Sequence, residues 1–284
     1  MAACRALRRV IGLVVASWIA PLAIAAGPGA PVDRFPRAAA AYAVAVNGRL
    51  VWARNLDARR PPASLAKLLA ALVILEPGVP SGTTVKISSG AARIAGSRAG
   101  LRAGESFRFE DLLTAMLVAS ANDACIALVE DRAGGAMKFS ALMNARAREL
   151  GMRDSHFVQP CGLDAEGQFT TVRDLLRLSA AAVANPQIAD RTAITQAAIV
   201  SSAGRRIALH QSNQMVGRVT GVYGLKSGFT SQAGKCLILA AHRDQRDVWI
   251  VMLDAPDRWW VALGILEQAF QLSAAEFLSS HSGH

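Results

Sequence analysis

The sequence predicts an α+β fold: a five-stranded antiparallel sheet built from both ends of the chain and flanked by helices, with an all-helical lobe inserted between its halves. Three observations predict it. Residues 41–55 alternate on both sides of a two-residue turn signal; three short strand-like segments recur between residues 224 and 255; and the residues between carry helix-period apolar positions. Strands that flank a helical middle pair most simply with each other, which leaves the helices beside the sheet and a groove between. The 284 residues, 52% hydrophobic and 18% charged, can bury a large core and are too apolar for a disordered chain.

Taken in order, the first 26 residues read as a secretory signal peptide. Arg5, Arg8 and Arg9 precede an apolar run from Val10 to Ala26 that ends in Ala23-Ile24-Ala25, the small-x-small pattern of a cleavage site. Cleavage implies a periplasmic or secreted protein; left uncleaved, the run is about long enough to anchor the chain in a membrane. Residues 27–38 form a Pro/Gly linker, and the main domain is expected over residues 39–280. It opens with AYAVAV-NG-RLVWARN, two strands about Asn47-Gly48, the pair that favours a tight hairpin. Five helices follow in PASLAKLLAALVIL, EDLLTAMLVAS, NDACIALVEDRAG, FSALMNARAREL and TVRDLLRLSAAAVAN, making a lobe over about residues 70–215. GLKSGFT, KCLILAAH and DVWIVMLDA supply three more strands, the last two joined by a turn around Arg243 to Arg246. A helix from about Trp259 to Phe277 closes the chain, with Leu263, Leu266, Phe270 and Phe277 on one face.

Charge and cysteine use exclude several classes. The formal charge is +10, from 31 basic and 21 acidic residues, yet three of those charges fall in the signal and the rest are scattered. No basic stretch is interleaved with aromatics, so a nucleic-acid partner is not expected. Only five basic residues are lysines, which makes the position of each informative. Beyond the signal stand Cys125, Cys161 and Cys236, an odd number that leaves at least one thiol unpaired in an oxidising compartment. Cys125 is expected to pack in the core. Cys161, in a loop that borders the groove, is expected to be a buried, inert thiol, with a reactive thiol as the alternative. No Cys-x-x-Cys or His-x-x-x-His spacing supports a metal site, His156, His210 and His242 read as structural, and no Gly-x-Ser-x-Gly elbow supports an α/β-hydrolase.

Three short motifs carry chemistry. In Ser64-Leu65-Ala66-Lys67, Pro61 and Pro62 put Ser64 in the first turn of a helix, where free N–H groups favour an oxyanion. Lys67 lies one turn along the same face, and a buried lysine can lose its proton and activate a serine. The plainer reading is a capping serine beside a solvated lysine. Ser120-Ala121-Asn122 falls at the break between two helices; its residues either cap a helix or project into the groove, Ser120 as proton relay and Asn122 as amide anchor. Lys226-Ser227-Gly228 falls on a strand, where an interior glycine is tolerated best if another backbone, such as a substrate peptide, must approach.

With these motifs in this order, the chain resembles the penicillin-recognising serine hydrolases, and among them the low-molecular-mass D-alanyl-D-alanine carboxypeptidases. RRPPASLAKLLAAL, SANDACIALVE, LGMRDSHFVQPCGLDAEGQFTTVRDLLRL and GLKSGFTSQAGKCL extend the resemblance over about Ala39 to Phe277. It implies a β-lactamase/transpeptidase-like fold and a serine-type carboxypeptidase that removes the terminal D-alanine from peptidoglycan stem peptides ending in D-Ala-D-Ala. Ser64 would be the acylated nucleophile, Lys67 its general base, and Ser120 the donor of a proton to the departing amine. Asn122 would hold the substrate amide and the Lys67 amine, Lys226 would supply positive potential, and the Ser227 hydroxyl would bind the terminal carboxylate, with Arg258 as a further carboxylate ligand. The N–H groups of Ser64 and Phe229, which follows Gly228, would form the oxyanion hole. β-Lactams would acylate Ser64 and release slowly; no cofactor or metal is implied, and membrane contact follows only from an uncleaved signal. Ala121 and Ser227 stand where glycine and threonine are commoner in the family. Larger members carry a second, β-rich domain and a C-terminal amphipathic anchor; both are expected to be absent, as seven residues follow Phe277. The alternatives are a D,D-endopeptidase that cuts cross-links, separated only by groove shape; a β-lactamase, disfavoured because Thr170 stands four residues after Glu166 where its deacylation motif has asparagine; and an inactive cell-wall peptide binder, disfavoured by intact Ser64 and Lys67.

Overall fold

Strands β1 (Ala41–Val46) and β2 (Arg49–Arg54) form the hairpin, with Asn47 and Gly48 both at positive φ, 47° and 79°, as the tight turn requires. The structure, a computed structural model, describes residues 31–76 and 78–272; the expected signal peptide, the first residues of the expected linker and the expected end of the closing helix at Phe277 lie outside these. A single 3₁₀ turn, Ala63–Leu65, leads into α1 (Ala66–Leu75), all ten residues of which are buried. A helix apolar on every side belongs in a core, and Lys67 is the one charged residue in it.

The lobe follows. A pair of three-residue strands, β3 (Thr84–Lys86) and β4 (Ser106–Arg108), encloses α2 (Ser89–Arg93). Helices α3 (Phe109–Val118), α4 (Asn122–Ala133) and α5 (Ala136–Glu149) come next; Gly134, left-handed at φ 71°, ends α4. A long loop leads to α6 (Val172–Ala184), capped by Thr171, whose side chain accepts the Asp174 N–H. Then come α7 (Pro186–Thr192) and a second ribbon, β5 (Gln196–Val200) with β6 (Arg206–His210). The expectation of an all-helical lobe is thus corrected: two small ribbons and two short helices lie within it. β3 and β4 are too short to show alternation, and β5 and β6 are largely solvent-facing and carry polar residues.

Strands β7 (Val222–Thr230), β8 (Gly234–Arg243) and β9 (Arg246–Leu253) return to the sheet, and α8 (Arg258–Phe270) packs behind it. α8 is shorter than expected, and Phe277 lies outside the described residues. The sheet is five-stranded and antiparallel, in the order β2-β1-β9-β8-β7. The ends of the chain meet where Ala41 pairs with Leu253 and Val46 with Val248. Alternation sorts the two faces: Ala41, Ala43 and Ala45 face α1 and the lobe, while Tyr42, Val44, Ile250 and Met252 face α8. β7 is left at the edge of the sheet, with Gly228 against the Ala63-Ser64 turn.

The expectation of two inert thiols is also corrected. Cys125 and Cys161 form a disulfide, with Cα atoms 6.0 Å apart, because the loop after α5 folds back across α4. Proximity of positions 36 residues apart is a property of that loop path and cannot be counted from spacing. In the chain-entropy account, a bridge closing such a loop contributes about 4 kcal/mol. Cys236 is a buried free thiol, pushed up to about 11 chiefly by burial.

Ile250 lies fully buried at the centre of β9, between β1 and β8. Ile250→Ala is expected to lower unfolding free energy by about 2–5 kcal/mol, read from the denaturant midpoint at constant slope. A loss under about 1 kcal/mol would contradict this packing.

Candidate active site

Ser64 sits in the 3₁₀ turn and Lys67 in the first turn of α1, so one helical turn separates hydroxyl and amine. Lys67 Nζ donates to Ser64 Oγ at 3.0 Å, to Asn122 Oδ1 at 2.6 Å and to the Cys161 carbonyl at 2.6 Å. The amine is fully buried, and burial pulls it down to about 7, with the nearby Asp123 carboxylate pulling the other way. Near neutrality roughly half of it is therefore uncharged. An uncharged amine keeps two N–H donors for Asn122 and Cys161 and turns its lone pair toward the Ser64 hydroxyl. A solvated lysine, the plainer reading of the motif, is excluded.

Two glycines hold the nucleophile's turn. A Cβ on Gly228 of β7 would lie 2.8 Å from Ser64 N, and one on Gly162 would lie 2.0 Å from the Ala63 carbonyl oxygen. Neither position admits a side chain, and Gly162 also needs its positive φ of 81°. The backbone that approaches Gly228 is thus the protein's own Ala63-Ser64 turn, where the sequence suggested a substrate. Ala63 itself is left-handed at φ 48°, a conformation non-glycine residues rarely hold without surrounding support.

Asn122 is set by a neighbouring loop. Its Nδ2 donates to the Ala95 carbonyl at 2.7 Å, which turns Oδ1 toward Lys67, and its own N–H donates to Ser97 O. That loop is held by Asp123, a fully buried carboxylate that accepts the N–H groups of Ala99, Gly100 and Leu101. Ser120 precedes α4 in the left-handed region at φ 58° and is nearly buried.

The third motif lies on edge strand β7. Lys226 is fully buried; its Nζ donates to the Ser227 carbonyl at 2.9 Å and Ser212 Oγ at 3.3 Å. Burial, with Lys67 and Arg258 nearby, holds it well below the usual lysine range. Ser227 Oγ donates to the Ser212 carbonyl at 3.0 Å, and Phe229 is 65% exposed on the strand beside it. Arg258 Nη1 donates to the Gly228 and Cys236 carbonyls, its guanidinium lies 4.4 Å from the Trp259 ring centroid, and its Nε is buried. Nη1 is thus taken up by main-chain carbonyls and is not available to the expected carboxylate.

The structure thus links Ser64, Lys67 and Asn122 by hydrogen bonds, sets Gly228 against Ser64, and brings Lys226 close enough to Lys67 for mutual repulsion. Sequence reasoning missed Asp123, Gly162, Ser212 and the Cys161 carbonyl. Asp123 reads as an ordinary acid in a helix's first turn, Ser212 as a loop serine, and a main-chain carbonyl has no sequence signal. Among the described residues, no cluster of three or more His, Cys, Asp or Glu could hold a metal.

A family model described as D-alanyl-D-alanine carboxypeptidase matches residues 32–257. The chain is 32% identical over 240 residues to the D-alanyl-D-alanine carboxypeptidase DacB2 of Mycobacterium tuberculosis, covering 80% of each. It is 30% identical over 251 residues to the D-alanyl-D-alanine endopeptidase of Escherichia coli, covering 86% of this chain and 81% of that one. Against the D-alanyl-D-alanine carboxypeptidase DacF of Bacillus subtilis, 28% identical, it spans only 51% of the relative's length. Among solved structures it is similar to penicillin-binding protein D2 of Listeria monocytogenes in its ampicillin-bound form, with TM-score 0.73 and 30% identity over 84% of this chain and all of that one.

Gly228→Ala is expected to displace the Ser64 turn and slow labelling of Ser64 by a fluorescent penicillin by about 10²-fold, as misplacement of about 1 Å does elsewhere. Labelling at the unaltered rate would mean that this contact does not position the serine.

Proposed function

The chain belongs to the D-alanyl-D-alanine carboxypeptidase family, a family of serine peptidases, and on that premise we propose that it removes the terminal D-alanine of peptidoglycan stem peptides through an acyl-enzyme on Ser64. The observation that carries this reading is the buried Lys67 amine, 3.0 Å from Ser64 Oγ and pulled to about 7. Lys67 takes the Ser64 proton as Oγ bonds to the carbonyl carbon of the penultimate D-alanine. The oxyanion forms against the N–H groups of Ser64 and Phe229, a device in which each donor is worth about 3–4 kcal/mol. Collapse breaks the C–N bond, Ser120 relays a proton to the departing D-alanine nitrogen, and water then hydrolyses the Ser64 ester.

Binding follows the same logic. The open edge of β7 suits an extended peptide added as a further strand, and Asn122 holds its amide. The terminal carboxylate takes the Ser227 hydroxyl, which releases Ser212 O to do so, with the Arg258 guanidinium as a further ligand. An anion there favours the protonated form of Lys226, which burial otherwise disfavours. β-Lactams acylate Ser64 by the same route, a reading supported by the similarity to an ampicillin-bound penicillin-binding protein. The Cys125–Cys161 disulfide supports an oxidising, extracytoplasmic location such as the periplasm, in line with the signal-like N-terminus. A second reading, cleavage of cross-links as a D,D-endopeptidase, is supported by the relatives that carry that name.

Incubation with a labelled penicillin is expected to give one adduct, mapped by mass spectrometry to Ser64 and absent from Ser64→Ala. Lys67→Ala is expected to slow its formation by about 10²–10⁴-fold. An adduct elsewhere, or an unaltered rate without Lys67, would sink the mechanism. D-Alanine release should be faster from a stem pentapeptide than cleavage of a cross-linked dimer; the reverse order would favour the endopeptidase.

The acylation rate should rise with pH through about 7, because only uncharged Lys67 accepts the serine proton. A profile flat from pH 5 to 9 would contradict that assignment.

A further inference from the structure

The two buried acceptors of Lys67 come from distant segments. Asn122 opens α4, whereas the Cys161 carbonyl belongs to the loop between α5 and α6. Cys125 lies one turn along α4 from Asn122, its N–H donating to the Ala121 carbonyl at 3.1 Å, and its sulfur is bonded to that of Cys161. A closed ring results. It runs from Lys67 Nζ to Asn122 Oδ1, along α4 to Cys125, across the sulfurs to Cys161, and from the Cys161 carbonyl back to Lys67 Nζ. Lys67 and both half-cystines are fully buried.

The rest of the loop has no such tie to α4. Gln159 Oε1 accepts the N–H groups of Cys161 and Leu163, and Gln168 Oε1 those of Val158 and Gln159, so these bonds stay within the loop. Outward, Phe157 and Val158 meet Asn144 and Ser140 of α5, and Asp164 meets Ser231 and Gln232 after β7. Among the described hydrogen bonds of residues 157–168, only the one from Lys67 reaches α1 or α4. Without the disulfide, the Cys161 carbonyl would be held to α4 through the very amine whose protons move during catalysis.

We propose that the Cys125–Cys161 disulfide is a positioning element of the active site, holding the Cys161 carbonyl on Lys67 so that Ser64 is acylated at full rate only when the bond is formed. The proposal rests on the role of Lys67 as base. Forming the bond takes two electrons and two protons from the thiols and passes them to an exchanging disulfide, which leaves as a dithiol. A reducing compartment thus withholds the positioning that an oxidising one supplies.

The test compares wild type, wild type refolded and kept in dithiothreitol, and the Cys125→Ala/Cys161→Ala double variant. All are assayed at one temperature well below the lowest of their unfolding midpoints, with near-ultraviolet circular dichroism as the check on folding. Alkylation after denaturation counts one free thiol among Cys125, Cys161 and Cys236 in the oxidised protein and three in the reduced. Penicillin acylation is expected to slow about ten-fold or more in both disulfide-free forms. The acid limb of its pH profile should move upward as water reaches the amine, while Asp123 of α4 and Lys226 of β7, the charged groups that face Lys67, are unaltered. Oxidised glutathione should restore the reduced wild type and leave the double variant unchanged. A lower melting temperature with the wild-type rate and acid limb would make the disulfide purely structural and overturn the proposal. Should the double variant fail to fold, the reduced wild type alone decides by the same criteria. Wild-type acylation by Lys67→Ala would instead overturn the base role on which the proposal rests.

Discussion

The burial of one amine governs the rest of this active site. Lys67 stands on a helix whose every residue is buried, and the hydration it lost is replaced by three oxygens, from Ser64, Asn122 and Cys161. A buried cation without a bonded counter-charge is costly, so the amine sheds its proton near neutrality. Asp123 moderates the fall without touching the amine, because its carboxylate is taken up by the N–H groups of the 99–101 loop. The same carboxylate therefore tunes the base and holds the segment that orients Asn122.

Everything around the amine is arranged to keep it dry and its partners fixed. The 3₁₀ turn carries Ser64, α1 carries Lys67, α4 carries Asn122, and the loop after α5 supplies a carbonyl, so no single element owns the site. Glycines at 162 and 228 let the loop and the sheet edge close on the Ser64 turn from two sides. Left-handed Ala63 is what such close approach demands of the backbone. The five-stranded sheet contributes rigidity: its N-terminal hairpin is locked onto β9 some 200 residues later in the chain, which fixes β7, and with it Lys226 to Phe229, relative to α1.

Much of this was legible in the sequence, and the failures have physical reasons. Alternation about Asn47-Gly48 and the apolar runs after Gly224 identified all five strands of the main sheet, because burial on both faces demands those residues. Ser64, Lys67 and Asn122 were legible because their spacings coincide with helix starts. The β3–β4 and β5–β6 ribbons were not, since short, solvent-facing strands need no apolar pattern. The disulfide was hidden because contact between Cys125 and Cys161 depends on a loop path. Ser212 and the Cys161 carbonyl act through main-chain geometry or loop position, which carries no residue signature.

With only five lysines in the chain, the protonation of the central amine can be read directly. Carbon-13 labelling of the lysine side chains, with the Cε signals of Lys67 and Lys226 assigned through Lys67→Ala and Lys226→Ala, would follow each amine by nuclear magnetic resonance as pH is raised. The account predicts a Lys67 signal that titrates with a midpoint near 7, well below the ordinary range of a lysine amine. A Lys67 midpoint above about 9 would contradict it, since the amine would then be charged at neutral pH and unable to take the serine proton.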